Sequence, residues 1–131
     1  MKLISQEVEV GTEPKAVLDF ISSPVNIEKL LPSDKISDFV FDDQICSFKV
    51  QGGITISLVQ AGREGNEKVF LKSGEKSPFP FELTIHAQPI PSGSKGWIEF
   101  NGEVNAFLKM MVEKPLGALF NYMSNKMKEQ F

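Results

Sequence analysis

The sequence has one cysteine, one histidine, one tryptophan and one tyrosine among its 131 residues. A lone cysteine, Cys46, excludes an internal disulfide and any metal site built from several thiolates, and it fits a reducing compartment. The cytoplasm is the expected location. With His86 as the only imidazole, a metal centre would rest on carboxylates, and no carboxylate pair has ligand spacing around a shared apolar hollow, so no metal is expected. No stretch approaches the ~20 apolar residues of a membrane span. Gln6, Glu7 and Glu9 interrupt the opening "MKLISQEVEV" within the length a signal peptide needs. Positive charge is also scarce: 14 Lys and Arg stand against 17 Asp and Glu, a net charge of -3. Such a chain has no electrostatic footprint for phosphate backbones, and nucleic acid is not an expected partner.

What is present is ordinary globular material, 41% hydrophobic and 24% charged. A chain of this length fits one domain, residues 1–131, that buries roughly two thirds of its unfolded surface. "KLISQEVEV" alternates, and Ile4, Gln6, Val8 and Val10 read as the buried face of a first strand. Thr12 is placed to cap a helix over "EPKAVLDFIS" with Pro14 in its first turn, and Ser23 and Pro24 restart the signal for "VNIEKLL", which Pro32 stops. From Ile36 to Val104, alternation recurs between turn signals: "DD" at Asp42 and Asp43, "QGG" at Gln51 to Gly53, "REGNE", and "PSGSKG" at Pro91 to Gly96. That predicts six further strands, seven in all. Phe79, Phe81, Leu83, Ile85 and Ala87 share one face; Glu82, Thr84, His86 and Gln88 share the other. Ile98, Phe100, Gly102 and Val104 oppose Glu99, Asn101 and Glu103, and Ile54, Ile56 and Leu58 oppose Thr55 and Ser57. One apolar face and one wet face fit an antiparallel sheet with its helices on a single side.

The closing stretch "NAFLKMMVEKPLGALFNYMSNKM" predicts a helix capped by Asn105 and running to about Gln130. Leu108, Met111, Val112, Leu116, Leu119, Phe120, Met123 and Met127 fall within half of its circumference, with Met110 off that face. At 1.5 Å per residue it is ~38 Å long, against ~36 Å for the whole body, so it spans the domain or bends. Pro115 removes the bond to the Met111 carbonyl, a local cost of ~3 kcal/mol that several buried side chains exceed. Gly117 is expected to let a strand or loop approach closely.

The order of strand, two short helices, six antiparallel strands and long C-terminal helix resembles the START-like superfamily, also called the birch-pollen-allergen-like or SRPBCC group, which includes polyketide-cyclase-like members. The resemblance spans essentially the whole chain and rests on "VEVGTEPKAVLDFISSPVNIEKLLP", the spaced strands, and "FLKMMVEKPLGALFNYMSNKMKE". It implies an α+β helix-grip fold: a seven-stranded curved antiparallel sheet wrapped around the last helix. It also implies an internal cavity for a lipid- or polyketide-like molecule. The lining expected from alternation is Phe48, Val50, Ile56, Leu58, Leu71, Phe81, Leu83, Ile85, Ile98 and Phe100 on the sheet, facing Leu108, Met111, Val112, Leu119, Tyr122 and Met123 on the helix. The same pattern describes a packed core equally well.

Chemistry-bearing residues give less. His86 lies on the polar face and reads as a solvated surface residue rather than a catalytic base. Asp42 with Asp43, and Glu99 with Glu103, read as surface charge without the desolvation that raises a carboxyl pKa. "GREGNE" from Gly62 to Glu67 lacks the Lys and spacing of a phosphate loop, and no cofactor is expected. Cys46 alternates with Phe48 and Val50 and reads as a small buried hydrophobe. Tyr122 is the one phenol on the closing helix. The expectation is therefore a non-enzymatic binder of a small apolar ligand, with no catalytic residues. The alternatives are a cyclase or dehydratase using Tyr122, or an interaction module that exposes Phe79 within "SPFPF" at Ser77 to Phe81.

Overall fold

The structure is a computed structural model that describes residues 1–51 and 53–131. Gly52, in the turn expected at Gln51 to Gly53, lies outside the described residues. The elements run β1 (Lys2–Ile4), β2 (Val8–Val10), α1 (Pro14–Ile21), α2 (Pro24–Ile27) with a 3-10 turn over Glu28–Leu30, β3 (Ile36–Phe41), β4 (Ile45–Val50), β5 (Ile54–Glu64), β6 (Lys68–Ser73), β7 (Phe81–Ile90), β8 (Gly93–Gly102) and α3 (Ala106–Gln130). All strands belong to one curved antiparallel sheet in the order β1-β8-β7-β6-β5-β4-β3, with β2 also paired to β8. The architecture is the expected α+β helix grip.

Eight strands stand where seven were expected because the first strand divides. Leu3 pairs with Phe100 and Ile4 with Glu99, whereas Val8 pairs with Gly96 and Val10 with Ser94. One extra residue therefore sits on the first strand between the two ladders, a bulge that exchanges its faces. Ser5 is buried and Ile4 is exposed, against expectation, while Val8 and Val10 point inward. Register also shifts between Ser37 and Val40 in β3, where Asp38 has φ of 56°, and between Gln60 and Arg63 in β5, where Gly62 has φ of 113°. Bulges increase local twist and bend the bulged strand, which curves this sheet around its contents.

Several expected turns shrink. β5 runs through Gly62 to Glu64, and β7 meets β8 through Pro91 and Ser92 alone, because Gly93 adopts φ of 142° and continues the ladder. β7 begins at Phe81, and the segment before it folds back over β5. Ser77 Oγ accepts the Ser57 amide proton at 2.9 Å and donates to the Ser57 carbonyl at 3.1 Å. Ser57 is therefore buried although it lies on the expected wet face. Thr12 caps nothing: Glu13 is the N-cap of α1, without a side-chain bond, and the Thr12 carbonyl accepts from Ser94 Oγ at 2.6 Å.

The helices lie on the inner face. α1 packs on β6, β7 and β8, α2 on β4, and α3 on β1, β2, β8 and the 3-10 turn. Arg63 fastens α1 to β5 through Asp19, with Nη1 2.6 Å from Oδ1. α3 is one helix through Pro115, capped as expected by Asn105 Oδ1, which accepts from the Leu108 amide at 2.9 Å. Its buried apolar residues are Val112, Leu116, Leu119, Phe120, Met123 and Met127. Met111, expected among them, is 58% exposed, because from Ala106 to Pro115 only Val112 is buried and Leu108 half-buried. The expectation for Gly117 also fails: a Cβ there would meet nothing within 4 Å.

Candidate functional site

The residues expected to line a cavity fall into three groups. Phe48, Ile56, Leu58, Leu71, Phe81, Leu83, Ile85, Ile98, Phe100, Val112 and Met123 are buried together in one cluster. Phe100 makes the helix-to-sheet contact directly, its ring centroid 5.4 Å from that of Phe120 and 5.2 Å from that of Phe81. Leu108 is half-buried at the edge of that cluster, and Met111 is in solvent. Val50, Leu119 and Tyr122 border a pocket of about 380 Å3.

That pocket is formed where the loop after α2 passes the middle of α3. Its walls are Pro32, Asp34, Lys35, Ile36, Val50, Gln51, Pro115, Ala118, Leu119 and Tyr122. β3 and β4 present Ile36 and Val50 as directly paired residues. The Gln51 amide donates to the Lys35 carbonyl at 2.9 Å and the Lys35 amide to the Pro32 carbonyl at 2.9 Å, which fixes the loop over the opening. Two wider depressions, of about 530 and 620 Å3, open on the outer face around Val59 and Lys72 and around Glu82 and Asn101. They are shallower and away from α3, whereas the smaller pocket joins inner-face residues of both sheet and helix.

Alternation pointed at Val50, Leu119 and Tyr122 but missed Pro32, Asp34, Lys35, Ile36, Gln51, Pro115 and Ala118. The available signal was "PSDKI", a proline-marked loop between a helix and an edge strand, the kind of segment that carries sites. No group of three or more His, Cys, Asp or Glu among the described residues is arranged to hold a metal.

Of the titratable side chains that the sequence singled out, His86 and Glu99 lie on the outer face, Asp42 in the β3–β4 turn and Cys46 in the core. His86, expected to be solvated, is only 13% exposed in its side chain. Its ring stacks on its cross-strand neighbour Trp97 at 4.6 Å, with Nε2 3.1 Å from Glu99 Oε1. The Asn101 amide on Glu99 Oε2, followed by His86 and Lys2, holds the Glu99 carboxyl below its ordinary value. Asp42 is lowered by the amides of Gln44 and Ile45, which its carboxylate caps within the β3–β4 turn. Burial pushes the Cys46 thiol up to about 12, as befits a small core residue. Phe79, the residue expected to be exposed in "SPFPF", is buried against Phe81 and Phe100.

Among the described residues, no helix is long and apolar enough to cross a membrane. Neither a protein-family model nor a curated protein sequence matches the chain. Solved structures do. A START superfamily protein of Mycobacterium smegmatis is similar at 11% identity, with a TM-score of 0.67 and 99% of each chain covered. The KanY protein matches at 18% identity and a TM-score of 0.75, over 99% of this chain and 96% of its own. A protein of Thermus thermophilus matches at 13% identity and a TM-score of 0.71, over 99% of this chain and 96% of its own. The order of the strands, the helix pair after the divided first strand and the gripped C-terminal helix are thus those of the START-like fold.

Proposed function

We propose that the protein binds a small apolar molecule, without transforming it, in the pocket between α3 and the paired ends of β3 and β4. One observation supports this above the rest. A space of about 380 Å3 has apolar walls from three elements, Ile36 of β3, Val50 of β4, and Pro115, Ala118 and Leu119 of α3, with Tyr122 also lining it. The volume lies in the range of small-ligand sites, ~300–1,000 Å3, and a few polar groups at one end of an apolar hollow are what orient such a guest. The filled cluster behind it narrows the lining expected from the sequence to the part nearest α3. Cytoplasmic location remains part of this reading, on the strength of the lone buried thiol.

Titration with the apolar fluorophore Nile red tests it. Binding is expected, and Ala118→Phe, which enlarges an exposed wall residue without touching the core, is expected to abolish it. Dye binding that is absent, or indifferent to that substitution, overturns the site.

The enzymatic alternative has one observation in its favour, Tyr122 in the pocket wall. A cyclase or dehydratase would need its hydroxyl as a hydrogen-bond donor to a substrate carbonyl, so Tyr122→Phe would abolish turnover of a ketide-like substrate. Under the binding reading the same variant retains the guest.

A further inference from the structure

The polar groups at the pocket favour one chemistry at the end of the guest. Lys35, Gln51 and Tyr122 line it, and among the described residues the Lys35 ammonium forms no ion pair and none of the three side chains makes a hydrogen bond. Each presents a donor: an ammonium, an amide and a phenol. Lys126, whose ammonium lies 5.7 Å from the Tyr122 ring centroid, is paired with Glu129 at 3.6 Å, which leaves Lys35 as the unpaired ammonium of the pocket wall among the described residues. Beyond the shared wall of Asp34, Lys35, Ile36, Val50 and Gln51 an adjoining depression of about 300 Å3 adds Lys49, again without an ion pair among the described residues. The opposing charges are Asp34 and Asp38, of which only Asp34 lines the pocket itself.

A net-acidic chain thus sets unpaired donors and cations around the mouth of an apolar hollow. We infer that the guest is an amphiphile with an anionic end, an apolar chain or ring system bearing a carboxylate, whose body lies against Ile36, Val50 and Leu119 and whose carboxylate meets Lys35. The inference rests on the pocket proposed above as the binding site. Ammonium-to-carboxylate hydrogen bonds are shorter and stronger than neutral ones, and at a half-enclosed mouth they are less screened than on an open surface. A hydrocarbon of about ten carbons suits a hollow of this size.

Competition of decanoate, methyl decanoate and decylamine against bound Nile red, in wild type and in Lys35→Gln, separates this inference from the site itself. Decanoate is expected to compete about tenfold more tightly than its methyl ester, and that preference is expected to vanish in Lys35→Gln. Equal affinity for acid and ester, tighter binding of decylamine, or a preference untouched by Lys35→Gln overturns the anionic end and leaves the pocket standing. If none of the three competes while Nile red still binds, the assigned ligand class fails. If Nile red itself does not bind, the site fails. Lys35 is an exposed loop residue, so the variant folds as wild type; coincident thermal unfolding curves verify that.

Discussion

Ser5 occupies a place in the ladder opposite Ile98 that a backbone pair would ordinarily fill. Its amide donates to the Ile98 carbonyl at 2.8 Å, and its hydroxyl oxygen accepts the Ile98 amide at 2.8 Å. The hydroxyl stands in for the carbonyl that the bulge has turned away, so both polar groups of a buried strand residue stay satisfied while the first strand changes face. Ser5→Ala leaves the Ile98 N–H buried without an acceptor. The expected loss is about 1–3 kcal/mol, read as a lower denaturant midpoint at unchanged slope. A loss below about 0.5 kcal/mol would mean that the ladder closes without the hydroxyl.

Cys46 is buried between strands and its thiol is held neutral up to about 12 by that burial. Native protein is expected to react with Ellman's reagent only at its rate of unfolding, and fully in denaturant. The linkage has a definite sign. An unfolded thiol ionises near 9.0 and the folded one near 12, so the stability the thiol confers is complete below 9.0 and is lost as pH rises from there toward 12. Cys46→Ala should flatten that alkaline limb, and an unchanged limb would assign it to other groups.

At the acid end Asp19 is the group to watch. The Lys15 hydrogen bond, then that of Arg63, lowers its pKa below 3.8. A lowered folded value gives stability that is present above 3.8 and fades as pH falls through the folded value. Asp19→Asn should therefore lose less stability than wild type between pH 4 and 2, with Arg63→Gln partway between them. Because Asp19 is open to solvent, 0.5 M salt should shrink the difference. A salt-independent difference would count against an ion pair as its source.

The same residues show what alternation conveys and what it leaves out. Period-two patterning placed Phe81, Leu83, Ile85 and Ala87 inward, and Ile98 and Phe100 beside them, because one buried face imposes that spacing whatever lies beyond. It placed the two ends of β3 and β4 without error. In the first strand it held at Val8 and Val10 but failed from Ile4 to Gln6, where a single inserted residue exchanges the faces, and a serine hydroxyl in the ladder has no periodic signature. Ser57 and His86 differ from expectation for a related reason: their strand faces are as expected, but the Ser77 loop covers the first and the cross-strand ring of Trp97 the second, and period-two spacing within one strand carries neither contact. The pocket was legible only through Val50, Leu119 and Tyr122. Its other wall is the loop holding Pro32 and Lys35, whose approach to α3 depends on how two helices fill the concave face.

Pro115 divides α3 by coverage. On its C-terminal side Leu116, Leu119, Phe120, Met123 and Met127 are buried, while on its N-terminal side Val112 alone is, and Phe107, Met110 and Met111 are in solvent. The proline is itself exposed and borders the pocket. Removing it should restore the amide that the Met111 carbonyl lacks, worth about 3 kcal/mol by helix propensity, less about 1 kcal/mol for the freedom the unfolded chain regains. Pro115→Ala is therefore expected to raise stability by about 2 kcal/mol, and amide exchange over Ala106 to Lys114 should slow. A wall of the pocket changes shape at the same time, so Nile red affinity should fall even as stability rises. If stability drops instead, the ring is holding α3 in place through its pocket contacts. A more stable variant with unaltered dye affinity would separate Pro115 from the binding site altogether.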